Sequence, residues 1–175
     1  MKTQELKQII REEIIKELFD TKETIKWKAG EDTEFTATFT GPNNQKYVID
    51  ITSLEYLNLP DSAITAARKL LPDEVNAVFL DGFLGMPGAG YYVEFRNREK
   101  GKGITGLGGS DTAKIFDIVI NALISKLKKE KIELVFFSAK EPSIKELYKK
   151  MAPLIATKLG MAQVNNGKYY FLYKD

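Results

Sequence analysis

An α/β domain with a mixed, largely antiparallel sheet flanked by helices is predicted from three features of this chain. Apolar alternation of period two dominates the first half, helical periodicity dominates the second, and the second half runs strand, Gly-rich loop, helix, strand, helix, strand. A length of 175 residues suits one such domain. The 43% hydrophobic and 29% charged content is that of an ordinary globular protein.

The chain opens with a helical signal. Between Thr3 and Phe19 the apolar residues Leu6, Ile10, Ile14 and Leu18 recur every four positions, and Ile9 and Ile15 widen the stripe. An amphipathic helix is therefore expected over residues 1–20, added to a single domain of residues 21–175. Its Lys2, Lys7, Arg11 and Lys16 balance Glu5, Glu12, Glu13 and Glu17, which argues for packing on protein, a second copy of the chain included, over attraction to an anionic membrane. Period two follows. Phe35, Ala37 and Phe39 alternate with threonines, Tyr47, Ile49 and Ile51 alternate with Val48, Asp50 and Thr52, and Gly41 to Gln45 supplies the turn of a β-hairpin. Ile25 to Lys28 reads as a short preceding strand.

Pro60-Asp61-Ser62 opens a short helix through Ala63, Ala66, Ala67 and Leu70, after which Ala77 to Leu80 is expected as a strand and Asp81 to Gly90 as a loop. Tyr91 to Phe95 is a strong strand. A basic, Gly-rich connection, Arg96 to Gly109, leads to a helix from about Asp111 to Lys129 capped by Ser110 or Asp111. A strand over Ile132 to Phe137, a helix opened by Pro142 and a closing strand over Lys168 to Tyr173 complete the pattern. Pro153 is expected to kink or break the last helix near Ala152.

Two zeros in the composition decide more than the percentages. With no Cys and no His, Ser-His-Asp and Cys/His catalysis, thiolate or imidazole zinc sites and disulfides are all excluded. Carboxylate, Tyr, Lys and backbone chemistry remain. The net charge of +2 does not by itself call for nucleic acid or a membrane. The first residues carry no signal-like apolar run, so the expected location is a cytoplasm, or a particle packaged from one.

Chemistry concentrates in the Gly-rich segment. Gly103-Ile104-Thr105-Gly106-Leu107-Gly108-Gly109-Ser110 lies between a strand and a helix N-terminus, where glycines let backbone N–H groups turn to an anion and the helix adds partial positive charge. Arg96, Arg98, Lys100 and Lys102 stand beside it. No Gly-Lys-Ser/Thr follows in Walker spacing, and the dinucleotide fingerprint is matched only in part. The plainer reading is a β–α connection with no ligand. A carboxylate metal site has no supporting spacing among Asp81, Glu94 and Asp117, and no metal is expected.

The order of elements and these residues resemble the GNAT N-acetyltransferase family over roughly Tyr91 to Tyr173. Gly106 and Gly108 match the last fixed positions of that family's pyrophosphate-binding loop, with Gly103 where the family has Gln or Arg. Glu146-Leu147-Tyr148-Lys149-Lys150 with Leu159-Gly160-Met161 is similar to the family's Leu-Tyr-x-x-x-Gly-Phe close, with a longer helix between the two pieces. The resemblance implies acetyl-CoA as cofactor, residues 103–110 as its loop, Tyr148 as general acid and Glu94 as base. Lys114 to Val119 and Phe137 to Ser143 are also similar to uncharacterised tailed-phage proteins.

Two function classes follow from the resemblance: an acyl-CoA-dependent N-acyltransferase with an amine acceptor, or a non-catalytic GNAT-like phage protein that binds a protein partner, in the virion or against the host. Each candidate has a plainer reading: Glu94 as a solvated strand position, Tyr148 as a core aromatic with its hydroxyl at the edge. Nucleic-acid binding would rest on Arg96 to Lys102 alone. Tyr169 to Tyr173 fit burial on both faces of a strand better than base stacking.

Overall fold

The computed structural model describes residues 25–30, 34–42, 44–83, 90–98, 109–140 and 142–174. The expected N-terminal helix therefore lies outside the described residues, as do Gly103, Ile104, Thr105, Gly106, Leu107 and Gly108. Seven strands form one sheet in the order β1-β2-β3-β4-β5-β7-β6. They are β1 (Trp27–Lys28), β2 (Phe35–Thr40), β3 (Lys46–Ser53), β4 (Tyr91–Asn97), β5 (Leu134–Ser138), β6 (Ala162–Asn165) and β7 (Tyr169–Tyr173). Helices α1 (Asp61–Leu70) and α2 (Asp73–Phe83) join β3 to β4, α3 (Gly109–Lys129) joins β4 to β5, and α4 (Pro142–Leu159) joins β5 to β6. All strand pairs are antiparallel except β4 with β5.

Register sorts the side chains onto two faces. Ala37, Ile49 and Phe95 face one another across β2, β3 and β4 and join Val135, Phe137, Tyr170 and Leu172 under α3 and α4. Leu134, Phe136, Tyr169, Phe171 and Tyr173 point the other way and pack under α1 and α2. Burial on both faces explains why β7 is apolar at every position, its Tyr169 hydroxyl finding Ser62 Oγ on α1 at 2.6 Å. On the same side as α1 and α2, β2 to β4 present Thr36, Asp50 and Glu94 in one cross-strand row.

Several expectations are corrected. Ala77 to Leu80 is not a strand, and Asp81 does not open a loop: both belong to α2. Pro72 accepts the first-turn bond from Asn76 N–H at 2.8 Å, Asp73 and Glu74 suit the positive helix start, and Phe79, fully buried, meets Phe136 and Phe171 edge-on. A short apolar run gives the same pattern in a strand and a buried helix. Helix α3 begins at Gly109, earlier than the expected Asp111. Helix α4 continues through Pro153 without a break. That ring lies on the exposed side, and Met151, Ala152, Ile155 and Ala156 keep the buried side intact.

Strand β6 went unforeseen, though its signal is present. Asn166-Gly167 is a hairpin dipeptide between alternating segments. Gly167 takes φ +82° and Asn166 Oδ1 accepts from the backbone N–H groups of Lys168 and Tyr169.

Candidate functional site

The parallel junction between β4 and β5 is short. Tyr91 pairs with Val135 and Tyr92 with Phe136, and there the ladder ends although β4 continues to Asn97 and β5 to Ser138. Along β4 the amides alternate in direction. Arg98 N–H, just past the strand end, donates to Lys46 O of the β3 side at 2.8 Å, so even-numbered amides turn to β3 and the amides of Val93, Phe95 and Asn97 turn to the β5 side.

Tyr148 fills the opening. It comes from α4, is 1% exposed, and packs its ring against Phe137 of β5 (5.2 Å between centroids) and Tyr170 of β7 (6.1 Å). Tyr148 thus packs beside the point where two strands no longer bond each other. Burial raises its pKa well above the ordinary value of 10, the Tyr92 hydroxyl and Glu94 add to the rise, and the Phe95 N–H opposes it. Tyr92 is raised as well, by burial first and then by Glu94 and Tyr169.

Glu94 is brought to the same place from the opposite face. Partly buried on β4, it acts electrostatically on both Tyr92 and Tyr148. The two residues singled out as base and acid thus influence each other electrostatically from opposite faces of the sheet. Directly opposite Glu94 in register stands Asp50. Its Oδ1 accepts from Thr36 Oγ1 at 2.8 Å, and its Oδ2 accepts from Arg96 Nε at 3.1 Å and Nη2 at 2.9 Å. Arg96, expected to serve the Gly loop, is committed instead to a carboxylate on the sheet, which the sequence pattern did not show. A polar residue inside an otherwise alternating strand, Asp50 between Ile49 and Ile51, was the available signal.

Of the proposed loop only Gly109 and Ser110 are described, as the first residues of α3. The N–H groups of that first turn have no intrahelical acceptor, which suits an anionic group. Among the described residues no three acidic side chains converge as a metal site, and no helix is long and apolar enough to cross a membrane. No protein-family model, curated protein or solved structure matches the chain.

Proposed function

We propose that this protein is a GNAT-like N-acyltransferase that takes its acyl group from acyl-CoA and delivers it to an amine. The observation that carries the reading is the parting of β4 and β5 after Tyr92 and Phe136, with the Phe95 N–H, Tyr148 and Glu94 gathered at the opening. Acyl-CoA supplies the activated acyl group when bound, with residues 103–110 at the α3 N-terminus as its phosphate contacts. Glu94 accepts at its carboxylate the proton that the acceptor amine loses as its nitrogen bonds to the acyl carbon and the thiolate departs. The Phe95 N–H, on the β5 side of β4, is a fixed donor of the kind that steadies developing negative charge. Tyr148 keeps its proton at Oη throughout the physiological range. A phenol held above its ordinary value gives that proton to a thiolate only uphill, so its contribution is a donated hydrogen bond rather than full transfer.

A second reading has an observation of its own. Tyr148 is fully buried, and a well-filled core at this point suits a phage protein that acts by binding a protein partner. Isothermal titration with acetyl-CoA and CoA separates the two. The transferase reading expects micromolar binding that Gly106→Val abolishes, and no heat at millimolar ligand overturns it.

A further inference from the structure

Helix α3 is buried nearly all the way round. Ile115 and Val119, both fully buried, face the sheet. Asp117 and Asn121 stand two residues beyond them, about 200° round the helix, and Ile124 stands nine residues past Ile115, about 180° round. Helices laid on a sheet leave that outer side to solvent. Here Asp117 is 6% exposed, Asn121 Nδ2 is buried without a hydrogen-bond partner among the described residues, and Ile124 is partly buried.

We propose that residues 3–19 of this chain dock lengthwise on the outer side of α3. Three observations identify that occupant. The described chain starts at Ile25, which packs on the same core cluster as Phe116 and Ile124 of α3, and Trp27 two residues later lies 6.0 Å from Lys126 Nζ of α3. The lengths agree: residues 3–19 as a helix span about 25 Å against about 31 Å for the 21 residues of α3, and residues 20–24 can bridge up to roughly 17 Å. The chemistry agrees too. The stripe Leu6, Ile10, Ile14 and Leu18 needs an apolar surface, and charged residues flank it.

The absence of cysteine makes a clean test. Full-length chain carrying Ile10→Cys and Ile124→Cys is treated with a short bismaleimide and compared with Ile10→Cys and Val78→Cys, Val78 being exposed on α2 across the sheet. Docking predicts a cross-linked monomer for more than half of the first variant at every dilution and none for the second. Cross-linked dimers, or both cysteines capped without a link, overturn the proposal. If a cysteine variant loses the wild-type circular dichroism spectrum, lysine cross-linking of the unsubstituted chain decides instead. Links from Lys7 to the exposed Lys114 or Lys128 within one molecule support docking, and their absence overturns it.

Discussion

Tyr148 packs its ring 5.2 Å from Phe137 of β5, beside the stretch where β4 and β5 no longer pair, and the Phe95 N–H of β4 is the influence that opposes the rise of its pKa. Removing its hydroxyl takes a polar group out of a fully buried place. Tyr148→Phe is expected to cost about 1–2 kcal/mol in urea unfolding with an unchanged m-value. In the transferase reading it also lowers kcat on the order of tenfold to a hundredfold while KM moves little.

The Asp50 and Arg96 pair is asymmetric. Asp50 has 8% side-chain exposure against 39% for Arg96, so losing the arginine leaves a carboxylate in a dry place, whereas losing the carboxylate leaves an arginine that water reaches. Arg96→Ala should cost about 2 kcal/mol, and less than half of that in an Asp50→Asn background. A double-mutant cycle by chemical denaturation measures the difference.

Asp117 sets a pH dependence. Burial raises its pKa from 3.8 to about 6. The folded state therefore holds the proton more tightly, and the stabilisation this brings is complete below pH 4 and lost as the pH rises through about 6. Two units correspond to at most about 3 kcal/mol. Asp117→Asn should remove this fall in stability between pH 4.5 and pH 7, read from urea midpoints at the two values.

Gly90 is fixed by close approach. A Cβ there would stand 2.7 Å from Leu54 Cδ1 and 3.0 Å from Leu134 Cδ2, both buried. Gly90→Ala should destabilise by about 1–3 kcal/mol through overpacking, seen as a lower thermal midpoint.

Phe79 tests the α2 assignment. Its ring lies 5.5 Å from Phe171 and 5.9 Å from Phe136, on strands distant in sequence. Phe79→Ala should cost about 3–5 kcal/mol, whereas Val78→Ala, one position round on the exposed side, should stay near zero.

What the sequence made legible follows from where periodicity is unambiguous. The hairpin of β2 and β3, the long α3 and the doubly buried β7 each carry a pattern that one secondary structure alone explains. Ala77 to Leu80 carries a pattern shared by two, and only the fit of Phe79 between Phe136 and Phe171 selects the helix. The neighbourhood of Glu94 and Tyr148 was not legible from spacing, because it depends on where the β4 and β5 ladder stops. Nor could spacing show that Arg96 turns to Asp50 across a strand pair 46 residues apart.

The two-pair junction also divides the molecule in a way that bears on its native-state fluctuations. β1 to β4 form a continuous antiparallel run, β5, β7 and β6 form another, and the strand bonds between them reduce to Tyr91 with Val135 and Tyr92 with Phe136. Such a seam separates cooperative units. Amide exchange should therefore fall into two protection classes meeting at β4, the molecule opening along this line before either half unravels.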